Sequence, residues 1–162
     1  MEILSVGTAL PPNRYDQEEL LRAFTRAWSQ EHHNPRRVEQ LHRAVLVGGR
    51  NLALPIDRYE KLTGFGEAND AFIRVGTDLG EQAIRSALAD ANLAPTAIDA
   101  IFFTTVTGVA APSIDARLVN RLGLRTDIKR TPIFGLGCVA GAAGMARMHD
   151  YLTAYPTHTA VL

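Results

Sequence analysis

Cysteine is almost missing from this sequence: Cys138 is the only one in 162 residues. A lone thiol excludes an internal disulfide and any metal site built on several cysteines. Net charge is missing as well. Lys and Arg number 17 and balance 17 Asp and Glu. No overall field therefore draws the chain to nucleic acid or to an anionic membrane surface. Long apolar runs are absent too. No stretch approaches the roughly 20 residues that a membrane-spanning helix needs. The N-terminus, Met1 to Gly7, has no basic segment and meets Pro11-Pro12 too soon for a secretory signal. What remains is 46% apolar and 21% charged, the balance of a soluble α/β protein with enough core for one domain. The expected location is the cytoplasm.

Periodicity supplies the elements. Ile3 to Ala9 reads as a strand closed by Pro11-Pro12. Asp16 to Trp28 reads as a helix, opened by a D-x-x-E capping pattern in Asp16 and Glu19, with Leu20, Leu21, Phe24 and Trp28 on one face. Residues 29–70 are the least regular part. Gln30 to Arg43 is polar and interrupted by Pro35, Gly48-Gly49-Arg50 reads as a turn, and Pro55 to Leu62 as a short helix. This stretch is expected to be a peripheral excursion within a single domain spanning 1–162.

The helical period returns from Asp70 to Ala91, ended by Asn92 and Pro95. Ala100 to Thr107 is apolar enough for a strand buried on both faces. Ser113 opens a helix through Leu118 and Leu122 that Gly123 stops. Ile128 to Phe134 is another strand, Val139 to Tyr155 a helix, and Thr157 to Leu162 one more strand. The order β, α, excursion, α, β, α, β, α, β implies a mostly parallel sheet with helices on its faces. The sequence stops inside the last apolar run, which leads us to expect a truncated fold.

Cys138 stands between a strand and a helix, in Phe134-Gly135-Leu136-Gly137-Cys138-Val139-Ala140-Gly141. The glycines permit a sharp turn and close backbone approach. A helix N-terminus offers unpaired N–H groups and the positive dipole end. Both favour a thiolate, the nucleophilic form, and the same N–H groups can hold a thioester oxyanion. A buried structural cysteine is the competing reading. The small face of Ala140, Ala142, Ala143 and Ala146 suits a tightly buried helix.

A cysteine nucleophile needs a base or a charge partner. His149 lies eleven residues beyond Cys138 on the same expected helix, about 16 Å along its axis and out of reach. His158 starts the following strand, at the far end. His32, His33 and His42 fall in the polar excursion. No histidine in this chain is placed to activate Cys138.

Several motifs meet at a characteristic spacing. They are Gly7-Thr8-Ala9-Leu10-Pro11-Pro12, Thr104-Thr105-Val106-Thr107-Gly108 followed by Pro112-Ser113-x-Asp115, Leu122-Gly123-Leu124, Gly135-Leu136-Gly137-Cys138, and Gly141-Ala142-Ala143-Gly144-Met145. Together they resemble the type III polyketide synthases, the chalcone synthase-like enzymes, and the bacterial members in particular. The resemblance implies a thiolase-like fold, αβαβα layers in the full enzyme, of which this chain is one incomplete half. It also implies a homodimer. The chemistry it implies is acyl transfer from an acyl-CoA to Cys138, then decarboxylative Claisen condensation with malonyl-CoA. The substrates are coenzyme A thioesters, with no further cofactor and no metal. The family's histidine and asparagine belong to the second half and have no counterpart in 1–162.

The resemblance carries over residue by residue. Thr105 and Thr107 fall in the family's pocket-lining stretch. Ala111 occupies a position where plant members carry a methionine that reaches the partner subunit's cavity. Arg50 falls among basic residues near the coenzyme A phosphates, with Arg43, Arg36 and Arg37 nearby. Two other readings stay open. One is a ketoacyl synthase III-like enzyme, whose cysteine sits in an Ala-Cys-Ser-Gly context unlike the Gly-Leu-Gly-Cys-Val-Ala-Gly here. The other is a non-catalytic fragment, or a subunit that pairs with a separate chain carrying the second half.

Overall fold

The computed structural model describes residues 1–28 and 34–162. The expectations for His32 and His33 lie outside the described residues. The chain divides into two compact units, Met1–Ala9 with Phe72–Leu162, and Leu10–Ala71. The second unit takes in the expected excursion and the helix before it.

In the Leu10–Ala71 unit, β1 (Asn13–Asp16) pairs antiparallel with β2 (Gly49–Leu52), Tyr15 facing Arg50. The expected turn at Gly48-Gly49-Arg50 is therefore the start of a strand, because Tyr15 and its neighbours supply a bonding edge. Helix α1 (Gln17–Trp28) starts with the expected capping box. Asp16 Oδ1 accepts from the Glu19 N–H at 2.7 Å, and Glu19 Oε2 accepts from the Asp16 N–H at 2.9 Å. Leu21 on its apolar face is buried. Helix α2 (Pro35–Ala44) corrects the expectation of an irregular polar stretch. Pro35 opens the helix instead of breaking it, since a first-turn N–H is unpaired anyway. The Asn34 side chain caps it by accepting from the Arg37 N–H at 3.1 Å. A one-turn helix, α3 (Ile56–Tyr59), follows.

The other unit holds the sheet. Helix α4 (Phe65–Asp90) ends in a left-handed Asn92, with the Leu93 N–H donating to the Leu88 carbonyl at 2.9 Å. A 3-10 turn at Pro95–Ala97 leads into β3 (Ala100–Thr105). Helix α5 (Ile114–Leu122) is stopped by Gly123 at φ 67°. Then come β4 (Lys129–Phe134), helix α6 (Ala140–Ala154) and β5 (Ala160–Val161). The sheet order is β4-β3-β5, all parallel, with Ala100 opposite Lys129 and Thr105 opposite Phe134.

Side chains of β3 alternate between two cores, as a pleated strand requires. Ile101, with Phe103, joins Ile84, Leu88, Ile114 and Leu118 from α4 and α5. Ala100 and Phe102 join Met148, Met145 and Leu152 from α6. The sheet is thus covered on both faces. A Cβ at Gly144 would come within 2.8 Å of Thr104 Cγ2, so α6 packs at its closest there. Ala142 and Ala146, expected to be buried, are exposed. They lie on the side of α6 turned away from the sheet.

Ile3–Ala9 corrects a second expectation, for it forms no strand. Among the described residues no other strand lies beside it. It rests instead on α4, where Ser5 Oγ donates to the Ala87 carbonyl at 2.7 Å and Gly7 touches the Ala83 carbonyl closely enough to exclude any side chain.

Asp99 ties the starts of all three strands together. Its carbonyl accepts from the Lys129 N–H at 3.0 Å, and its N–H donates to the Thr159 carbonyl at 2.8 Å. Its carboxylate accepts from the Thr159 N–H and from Arg125, both at 2.9 Å. Asp99→Ala removes both carboxylate bonds and is expected to lower unfolding free energy by about 1.5–3 kcal/mol. Amide exchange at Thr159 should quicken with it. Unchanged urea denaturation and unchanged exchange at Thr159 would contradict this role.

Candidate active site

Parallel strands place their carboxyl ends together, and ligands of open α/β sheets bind there. Here the in-register ends are Thr105 and Phe134. Four residues beyond Phe134 comes Cys138, in a 3-10 turn at Gly137–Val139 that feeds directly into α6. Gly135 and Gly137 take φ of 88° and 58°, left-handed values that a residue with a Cβ adopts only under strain. They reverse the chain between strand and helix and leave the thiol exposed. The thiol thus sits one turn before α6, where a helix N-terminus presents free N–H groups. Among the described residues no side chain hydrogen-bonds or ion-pairs with Cys138.

Beside this end, on the α5 face of the sheet, lies a cleft of about 380 Å³. Thr105 and Ala111 line it, with Phe72, Gly108, Arg130 and Phe134. Thr107 stands exposed on the loop past β3 and is not part of the cleft wall. The loop is shaped by two contacts. Thr105 Oγ1 donates to the Gly108 carbonyl at 3.3 Å, and a Cβ on Gly108 would fall about 2 Å from the Phe72 ring. Sequence reasoning missed Phe72, which is far from the motifs in the chain, and Arg130, which lies in β4 shortly before the Gly135–Cys138 motif.

Arg130 carries the electrostatics. Its Nη1 donates to Oδ2 of Asp115 at 3.2 Å, and the Asp115 side chain is fully buried at the start of α5. The other Asp115 oxygen has no partner. Arg130 is the only salt-bridge partner of Asp115 among the described residues.

Arg50 sits in β2 of the other unit with its side chain exposed. Arg43 is engaged by Glu18 and Glu39, and the Glu18 hydrogen bond raises its pKa. His149 is exposed on α6, and His158 Nδ1 lies 2.6 Å from the Tyr151 hydroxyl. Lys129 lies over the Tyr155 ring at 3.6 Å. Its ammonium is held above the ordinary lysine range, chiefly by its hydrogen bond with Tyr155. That aromatic cluster begins at the opposite end of β4 from Phe134. No group of three or more His, Cys, Asp or Glu side chains among the described residues could hold a metal, and no helix is long and apolar enough to cross a membrane.

Comparisons with known proteins show the family of this chain. Residues 1–155 match the family model for the N-terminal domain of chalcone and stilbene synthases. The chain belongs to that family, and relatives more than 30% identical to it include bacterial type III polyketide synthases. It is 48% identical over 160 residues to a 1,3,6,8-tetrahydroxynaphthalene synthase of Streptomyces peucetius, covering 99% of this chain and 42% of that one. A phloroglucinol synthase of Pseudomonas fluorescens is 38% identical over 105 residues, covering 65% of this chain and 30% of the relative. The crystal structure of the tetrahydroxynaphthalene synthase of Streptomyces coelicolor superposes with a TM-score of 0.87 at 31% identity. That match covers 96% of this chain and 45% of the other. The fold is therefore thiolase-like, and the chain spans less than half the length of these relatives.

Replacing Arg130 by Ala leaves the buried Asp115 carboxylate without its part-exposed partner and is expected to destabilise the chain by about 1–3 kcal/mol. Asp115→Asn removes the charge itself and should cost less. Equilibrium urea melts of the two variants decide, and the reverse order would contradict this role of the Arg130–Asp115 pair.

Proposed function

We propose that this chain is the acyl-accepting portion of a type III polyketide synthase, with Cys138 as the nucleophile. The observation that carries the reading is the exposed thiol on the glycine turn between β4 and α6, at the carboxyl end of the strand whose Phe134 lines the Thr105–Ala111 cleft. The Cys138 thiol gives up its proton, and its sulfur attacks the thioester carbonyl of an acyl-CoA. The bond to the coenzyme A sulfur breaks, and coenzyme A leaves and takes up a proton. A malonyl-CoA then loses carbon dioxide, and the resulting carbanion attacks the Cys138 thioester. A carbon–carbon bond forms and the cysteine thiolate is released. N–H groups ahead of α6 supply oxyanion stabilisation in the first step.

In this reading Thr105 and Ala111 form walls of the acyl cavity, and Thr107 joins them on the loop above. Arg50 contacts a coenzyme A phosphate, a role that suits a planar, always-charged guanidinium. The products of the relatives suggest an aromatic polyketide built from malonyl units. The enzyme works in the cytoplasm as a homodimer, and the unpaired outer edge of β4 is an available pairing surface.

The proton-transfer step and the decarboxylation need groups that this chain does not place near Cys138. In this reading those groups belong to the second half of the fold, since residues 1–162 span 42% of the Streptomyces peucetius relative. Purified alone, the 162-residue chain is expected to yield no pyrone from acyl-CoA and malonyl-CoA. Mixed with the remainder of the Streptomyces peucetius relative, it should yield pyrone, and Cys138→Ala should abolish that yield. Pyrone formation by the chain alone, or by the Cys138→Ala mixture, would overturn the proposal.

A further inference from the structure

Helix α2 turns an apolar stripe toward solvent. Its inner face carries Val38 and His42, both half-buried. The His42 ring packs on Phe24 of α1 at 5.2 Å, and the His42 carbonyl accepts from Gln17 Nε2 at 2.9 Å. The outer face repeats every fourth residue through Arg37, Leu41 and Val45. All three are exposed, Leu41 by 58% and Val45 by 53%. Apolar residues at this spacing ordinarily face the core. Leu46 extends the stripe past the helix end at Val45. It is 92% exposed and stands at φ 54°. Glycine is favoured in that left-handed position, and a Cβ there is strained. Leu46 thus costs backbone strain and gains almost no burial within the protein.

Positive charge frames this apolar tip. Helix α2 carries three arginines against one glutamate. Arg43 is engaged by Glu18 and Glu39, whereas Arg36 and Arg37, both exposed, have no carboxylate partner among the described residues. The chain is neutral overall, yet this patch is basic. A nucleic acid backbone would match the arginines and leave Leu41, Val45 and Leu46 without a partner. A protein partner needs more room. A helix of 10 residues is about 15 Å long and about 10 Å across, so its outer face falls well short of the roughly 800 Å² per partner of a stable interface. An anionic bilayer surface takes both kinds of group. Apolar side chains enter the acyl boundary, and arginines stay level with the phosphates.

We propose that the outer face of α2, with Leu46, is a peripheral membrane contact that docks this protein on an anionic lipid surface. Leu41, Val45 and Leu46 insert between the headgroups, and Arg36 and Arg37 pair with lipid phosphates. The strained, solvent-exposed leucine is then explained by a partner outside the protein. Cys138 takes no part in this contact, so the inference stands apart from the acyl-transfer reading.

Co-sedimentation of the intact chain with sucrose-loaded vesicles tests the contact. Vesicles of one part phosphatidylglycerol to three parts phosphatidylcholine are expected to bind about tenfold or more tighter than pure phosphatidylcholine at about 0.1 M salt. Arg36→Gln and Arg37→Gln should each weaken binding to the anionic vesicles about fivefold. Leu46→Gly should weaken it about fivefold or more while the urea midpoint holds or rises, because glycine relieves the left-handed strain. Loss of binding is thereby separated from loss of fold. Cys138→Ala should bind like the parent chain. Equal binding to both kinds of vesicle, binding unchanged in Leu46→Gly or Arg37→Gln, or no binding at all would overturn the contact. A concentration-dependent dimer that Leu46→Gly abolishes, without vesicle binding, would overturn it in favour of a second copy.

Discussion

Asp99 is the point from which the sheet is set out. Its main chain bonds to Lys129 at the start of β4 and to Thr159 ahead of β5. Its carboxylate holds Thr159 again and Arg125. A parallel sheet gains no register from short hairpins, so something must align strands that are far apart in sequence. One residue with four bonds does so here. With the starts aligned, the six-residue ladder of β3 on β4 brings Thr105 level with Phe134. The loops that follow are then neighbours by construction.

The site inherits that alignment. The loop after β3 is shaped by Gly108 against Phe72, and the loop after β4 by the left-handed Gly135 and Gly137. Arg130 reaches from β4 to the buried Asp115 at the start of α5 and ties the cleft wall to the helix behind it. On the other face, Gly144 lets α6 approach Thr104. Cys138 is held from both sides: by the strand before it and by the close-packed helix after it. The thiol itself stays open to solvent.

Much of this was legible in the sequence, and the failures have physical causes. β3, α5 and the end of α4 announce themselves through local signals: a continuous apolar run, a stop at Gly123, and Asn92 as a left-handed cap. The D-x-x-E box at Asp16 and Glu19 is equally local. Ile3–Ala9 carries strand-like residues, but a strand exists only with a neighbour to bond, and among the described residues none pairs with it. β1 and β2 escaped notice because NRYD and GRNL lack apolar alternation; their pairing is what makes them strands. Pro35 looked like a breaker because its position at the start of α2 was not yet known. Of the site, Cys138 and Thr105 could be found from motifs, whereas Phe72 and Arg130 reach the cleft only through tertiary packing.

The central claim is that this turn makes Cys138 an acyl acceptor. Incubation of the chain with hexanoyl-CoA, followed by digestion and tandem mass spectrometry, tests it most directly. The account expects one hexanoyl group, carried on Cys138 as a hydroxylamine-labile thioester, and no acylation of the Cys138→Ala chain. Acylation confined to lysines, or an unmodified Cys138 after prolonged exposure, would contradict it.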